Sequence, residues 1–254
     1  MPVRKIRAKY GSVTGLVADE QSARSSGYES TLERDFIKHV IFNKNVLEHE
    51  EQPLTMDFTD SGGKARRYTP DLLISYRKDL ARTKDWRPLL AEVKYRSELF
   101  KHWAELKPKF RAARAYARER NWDFAVITER ELRTPYLKNI TFLLEFRKHL
   151  VDEALTQLFL ATAADRSPAT PSSMLTFLSS DETQKATLLP TLWQLVANGR
   201  IGVDLEQPLT MSSRIWLSGS NERRERDEPT GRVSARNSHR MRWQALRYYP
   251  CSES

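Results

Sequence analysis

Cysteine is almost missing from this chain: Cys251 is the single one among 254 residues. One thiol excludes an intrachain disulfide framework and any cysteine-based zinc finger, and it fits a reducing, cytoplasmic setting. Long apolar runs are missing as well. The most hydrophobic window, Leu155 to Ala164, is too short and too interrupted to cross a bilayer. No signal peptide opens the chain, so the sequence predicts a soluble protein without a membrane partner. The five histidines, His39, His49, His102, His149 and His239, include no H-x-x-x-H pair, which argues against a zinc hydrolase. Neither a P-loop nor a G-x-G-x-x-G occurs, which removes nucleotide binding by those routes. An acidic balance is also lacking: 42 Lys and Arg stand against 33 Asp and Glu, for a formal net charge of +9. A chain so basic favours a polyanionic partner such as DNA, RNA or a membrane surface.

The patterning that is present reads as α/β. Residues 1–27 carry Arg4, Lys5, Arg7 and Lys9 before the first acid at Asp19. They read either as a basic arm lying along a phosphate backbone or as a terminus without a role. From Ser30, apolar residues at Leu32, Phe36, Ile37, Val40 and Ile41 predict a helix over about 30–43. Strands are expected at 46–50 and 54–58, followed by a hairpin turn at Asp60-Ser61-Gly62-Gly63, and further strands at 67–76 and 89–95. Pro108 is expected to break the next helix and leave 108–120 as its better half. With a strand at 123–128 this makes a right-handed βαβ crossover and a partly parallel sheet. Helical sequence then runs from Thr134-Pro135 to about Ala163, and the two prolines within 164–173 suggest a domain boundary. Beyond it, helices at 174–178 and 181–198, a cap at Gly199 and strands at 200–205 and 213–217 suggest a winged helix. The tail, 219–254, holds eight arginines with Trp243, Tyr248 and Tyr249, and is expected to order only on DNA or a protein partner. The expected organisation is a basic arm (1–27), a catalytic domain (28–165), a winged-helix-like domain (166–218) and an Arg-rich tail.

The chemistry concentrates between Tyr68 and Tyr95. Hydrolysis of a phosphodiester needs a divalent cation to polarise the phosphoryl oxygen and acidify the attacking water. Mg²⁺ takes oxygen ligands, usually one or two carboxylates with waters and substrate phosphate oxygens. Asp71 and Glu92 supply such carboxylates from two neighbouring strands, and the step of twenty-one positions from one to the other leaves room for a strand, a loop and a return strand. Strand alternation puts Glu92 and Lys94 on one face and Val93 on the other. Lys94 is then placed to orient water or offset developing charge, while the Val93 carbonyl offers a further ligand. Glu33 enters from the preceding helix as a third acid. Arg66, Arg67 and Arg96 flank the stretch as candidate DNA contacts. Each residue also has a plainer explanation. Ser30 and Glu33 spell a capping box, Asp71 after Pro70 suits a turn, and Glu92 with Lys94 suits a solvated strand face.

The order of motifs resembles a known family. Ser30-Thr31-Leu32-Glu33, Glu51-Gln52-Pro53-Leu54, Tyr68-Thr69-Pro70-Asp71-Leu72-Leu73 and Glu92-Val93-Lys94 are similar to the TnsA transposon-end endonucleases. Leu192-Trp193-Gln194-Leu195, Asp204-Leu205, Pro208-Leu209 and Ile215-Trp216-Leu217 extend the likeness through the second domain, so that it spans roughly 28–217. The resemblance implies a restriction-endonuclease-like mixed sheet with flanking helices, and Glu33, Asp71, Glu92 and Lys94 as the catalytic set with Mg²⁺, for which Mn²⁺ substitutes. It further implies cutting of the 5′ strands at the ends of a bacterial transposon. The implied partners are double-stranded DNA, the DDE-type transposase TnsB and the AAA+ regulator TnsC, in a nucleoid-associated complex. Some members carry Gln where this chain has Glu92. Two other readings of the residues are a stand-alone restriction or repair endonuclease and a non-catalytic DNA-binding assembly module.

Overall fold

The computed structural model describes residues 31–218. The basic arm with Arg4, Lys5, Arg7 and Lys9, the cap candidate Ser30, and the tail 219–254 lie outside the described residues. Within them the chain divides into two compact units, 31–132 and 133–218.

In the first unit, helix α1 (Thr31–Phe42) buries the expected stripe of Leu32, Phe36, Ile37, Val40 and Ile41. Strands β1 (Val46–Glu51), β2 (Met56–Thr59), β3 (Ala65–Tyr68), β4 (Leu72–Tyr76) and β5 (Leu89–Val93) follow. Then come helices α2 (Arg96–Lys101) and α3 (Trp103–Glu119), strand β6 (Asp123–Ile127) and the single turn α4 (Glu129–Leu132). The main sheet runs β1-β4-β5-β6, antiparallel except for the parallel pair β5 and β6 that the crossover through α3 requires. Its two faces carry separate cores. Leu32, Phe36 and Val40 of α1 pack with Ile74, Leu89, Ala91, Val93 and Ile127 on one side. On the other, Leu90 meets Met56, Tyr68, Ala113 and Ala117 from the hairpin and α3. Strand β5 is therefore buried at every position, as a central strand covered on both faces should be.

Two local expectations are corrected. The single strand expected at 67–76 is two strands in two sheets: β3 pairs only with β2, while β4 lies between β1 and β5. The break falls at Thr69-Pro70-Asp71, where proline has no N–H to continue a ladder. The helix break expected at Pro108 is likewise displaced. Pro108 lies inside α3, and the interruption is at His102, with φ −115° and ψ 21°. A proline there orphans the carbonyl four residues earlier, that of Ala104. The Ser61 hydroxyl, from the tight turn between β2 and β3, donates to that carbonyl at 3.3 Å, so the hairpin is pinned to the helix where the helix is weakest. Asn121, at φ 59°, ends α3: its N–H reaches the Arg118 carbonyl and that of Trp122 reaches Ala117.

The second unit contains α5 (Pro135–Phe146), α6 (Glu153–Asp165), α7 (Pro171–Leu178), α8 (Glu182–Ala197) and the antiparallel strands β7 (Ile201–Val203) and β8 (Ile215–Leu217). Asp152 and Thr170 cap α6 and α7 through their side chains. Gly199 closes α8 at φ 59°, its N–H on the Val196 carbonyl and that of Arg200 on Leu195, the cap anticipated from the sequence. The division between units falls after Leu132, whereas the proline-bearing stretch had suggested 165–166. The physical reason lies in α5. Asn139, 6% exposed, donates to the Leu205 and Gln207 carbonyls and accepts from the Leu209 N–H, clipping the helix to the loop between β7 and β8. Phe142 meets Trp193 of α8 edge to face at 5.5 Å. Residues 135–163, expected as one helical stretch of the catalytic domain, are two helices of the second unit.

Candidate active site

The register of β4 against β5 assembles the site. Leu72 pairs with Ala91, and the Asp71 N–H reaches the Ala91 carbonyl at 3.1 Å, so Asp71 stands across from Glu92 at the end of the ladder. The Asp71 Oδ2 accepts the Val93 N–H at 2.6 Å, while no hydrogen bond to Oδ1 exists among the described residues. Burial raises the Asp71 pKa to about 7, helped by the negative charge of Glu92 and, less, of Glu33; the Val93 N–H and the Lys94 ammonium act against the rise. Asp71 is therefore a carboxyl short of positive charge. Glu33, in the first turn of α1, is near enough to raise it, so the helix that lines one core also brings an acid to the site. Lys94 follows the last residue of β5, its N–H on the Ile127 carbonyl. Its ammonium is half-buried and makes no side-chain hydrogen bond or ion pair among the described residues.

Glu92 is 2% exposed, which rules out the solvated strand face. Its Oε2 accepts the Tyr68 hydroxyl at 2.7 Å and its Oε1 the Lys109 ammonium at 2.8 Å. The same ammonium lies 4.7 Å from the Tyr68 ring centre and 5.2 Å from that of Phe110, within cation–π range. Burial, then the Glu92 charge, pushes the Tyr68 hydroxyl above its ordinary pKa and keeps it a donor. Neither Tyr68 nor Lys109 was assigned a role from the sequence. A signal for Lys109 existed: it occupies the core-facing stripe of α3 with Ala113 and Ala117, four and eight residues on, where a lysine needs a buried partner.

The other candidates are spread more widely. Arg66 pairs with Asp60 at 3.0 Å and is 58% exposed. Arg67 is exposed on β3. Arg96 opens α2, with its N–H on Glu129 Oε2 and its guanidinium 5.7 Å from the exposed Phe100 ring. The structure thus brings Glu33, Asp71, Glu92, Val93 and Lys94 to one end of β4 and β5, while Arg66 and Arg67 lie on β3 and Arg96 at the start of α2.

Among the described residues, no three His, Cys, Asp or Glu side chains are gathered as a ready metal cage. Mg²⁺ does not require one, since water and phosphate oxygens complete its octahedron. The donor chemistry fits a hard cation: oxygen groups only, mutually repelling, with Asp71 Oδ1 unengaged. No described helix is long and apolar enough to cross a membrane.

Comparison with curated proteins gave no match. Two family models do match: the TnsA-like endonuclease N-terminal domain over residues 43–129 and the TnsA endonuclease C-terminal domain over residues 131–205. They meet where the two compact units divide. A nuclease module with opposed strand carboxylates and a helical module in this order identify the chain as a member of the TnsA endonuclease family.

Proposed function

We propose that this transposase-associated nuclease is a Mg²⁺-dependent DNA endonuclease that cuts the 5′ strands at transposon ends. It acts as one subunit of a cut-and-paste machine, with a TnsB-type DDE transposase cutting and joining the 3′ strands and a TnsC-type AAA+ regulator as a further partner. The observation that carries the reading is Asp71 across from Glu92, with a charge-starved carboxyl on one strand and an uncommitted Lys94 ammonium beside it. Asp71, through Oδ1, would hold Mg²⁺ or Mn²⁺, with Glu92, the Val93 carbonyl and Glu33 as the remaining protein donors. The ion supplies Lewis acidity at the scissile phosphate and a more acidic water. Lys94 orients the attacking water or offsets charge on the phosphoryl oxygens. Val93 holds Asp71 through its N–H, so the carboxylate does not rotate away. Arg67 and Arg96, with the basic arm, position the duplex through its phosphates. The helices and ribbon of the second unit are read as a winged-helix-like module, and the assembly works in the cytoplasm at the nucleoid.

The test is strand-specific nicking of end-labelled transposon-end DNA by the full chain with its transposase partner, in Mg²⁺ and in chelator. Asp71→Ala and Lys94→Ala should each lower the 5′-strand cut by about 10²-fold or more, the size of losing one aligned charge-stabilising group. Cutting at the wild-type rate by both variants would overturn the site. Efficient cutting without the partner would favour a stand-alone nuclease.

A further inference from the structure

Glu92 poses a problem that the nuclease reading does not resolve. A carboxylate 2% exposed on a central strand is costly unless its charge is balanced, and its balance here is Lys109 at 2.8 Å, itself only 17% exposed. A divalent ion bound to the same carboxylate sits about 2.1 Å from an oxygen. With the ammonium in place, the two cations would stand within about 4–5 Å in a poorly screened site, where repulsion is strong. Both cannot hold Glu92 on equal terms. The faces of Tyr68 and Phe110 already lie 4.7 and 5.2 Å from the ammonium, so it would keep cation–π partners on giving up the carboxylate. Tyr68 meanwhile fixes the other oxygen of Glu92 at 2.7 Å, so the carboxylate stays oriented when its cation changes.

We propose that Lys109 is the resident counter-cation of the nuclease centre, holding Glu92 in place while no metal is bound, and that a divalent ion competes with it for that carboxylate. Lys109 is a positioning residue that sets how tightly metal is held. The proposal rests on the metal-dependent reading above. Three acids, Glu33, Asp71 and Glu92, then face two ammonium groups, Lys94 and Lys109, of which Lys109 would yield Glu92 to a divalent ion while Lys94 would stay available to the reaction.

The experiment is Mn²⁺ titration of the full-length protein without DNA, followed by thermal melting and by the electron paramagnetic resonance of free Mn²⁺. Lys109→Met should melt lower than wild type in chelator, gain more from saturating Mn²⁺, and half-saturate at a concentration at least about tenfold lower. Tenfold is the smallest effect that one neighbouring charge has on a carboxylate's affinity for a proton. Lys109→Arg keeps the charge and should keep wild-type affinity. Glu92→Gln with Lys109→Met removes both charges and should show no gain over wild type. If Lys109→Met folds too poorly, Lys109→Gln, which still donates to Glu92, gives the same comparison. Equal or weaker Mn²⁺ binding by the charge-removing single variants would make Lys109 an ordinary structural pair and overturn the proposal. Absence of Mn²⁺ binding by wild type would instead overturn the metal-dependent reading itself.

Discussion

Asp71 is held in a state that suits chemistry more than stability. Its folded pKa of about 7 lies above the ordinary 3.8, so between those values the native state keeps a proton that the unfolded chain has lost. Stability of the metal-free protein therefore falls as pH rises from about 4 to about 7 and levels off above, because the unfolded state binds fewer protons across that window. Asp71→Asn cannot ionise and escapes the loss. Relative to wild type in chelator it should be more stable at pH 8 than at pH 4.5, by on the order of 1 kcal/mol once half-burial is discounted, while nicking disappears. Melting both proteins at the two pH values decides it, and a difference independent of pH would show that Asp71 is not strained by its neighbours. A divalent ion must displace the same proton, so metal affinity should climb through this range. Strand periodicity and carboxylate chemistry single out Asp71, Glu92 and Lys94 as candidates in the sequence, and the register puts Asp71 across from Glu92. Tyr68 and Lys109 were not singled out: the stripe of α3 flags Lys109 as core-facing, but its partner depends on a separate hairpin and a distant helix folding over one face of β5, and sequence spacing does not encode that meeting.

At the scale of elements, helix α1, the β2–β3 turn, the parallel β5–β6 pair and the Gly199 cap follow from local rules and were legible. What misled was proline. Pro70 separates two strands of different sheets, and Pro108 is tolerated within α3 because the orphaned Ala104 carbonyl finds Ser61; both outcomes are decided by tertiary neighbours. The unit boundary was hidden for a similar reason, since the three hydrogen bonds of Asn139 reach residues 66 to 70 positions away. In the second unit the ribbon has one position with no room for change. Gly202 pairs with Trp216, and a Cβ there would lie 2.3 Å from the indole nitrogen. The indole must move or the strands must part. Gly202→Ala should cost about 1–3 kcal/mol, as overpacking commonly does. Denaturant unfolding measures this directly, and an unchanged midpoint would mean that the ring swings away freely.

For the whole molecule, a basic chain of net charge +9 joins a compact unit that matches the TnsA-like endonuclease N-terminal model to a compact, largely helical unit that matches the C-terminal one. Phosphate contacts give affinity without sequence preference and weaken with salt; under the proposed function, arginines would hold the duplex and the partner transposase would choose the ends. If this chain cuts only the 5′ strands and the partner both cuts and joins the 3′ strands, loss of the Asp71 carboxylate should not stop joining. The transposon would remain attached to its donor through the uncut strands while its 3′ ends enter the target, and replication of that intermediate gives a cointegrate. Asp71→Ala in the complete system should therefore keep total insertion frequency within about tenfold of wild type, as expected when the joining barrier is untouched, and convert simple insertions into cointegrates. Sequencing both junctions of recovered products and scoring donor-backbone retention measures the shift. Simple insertions at the wild-type proportion would mean that the 5′ strands are cut by another protein, whereas loss of all insertion would mean that this site is needed before 3′ joining begins.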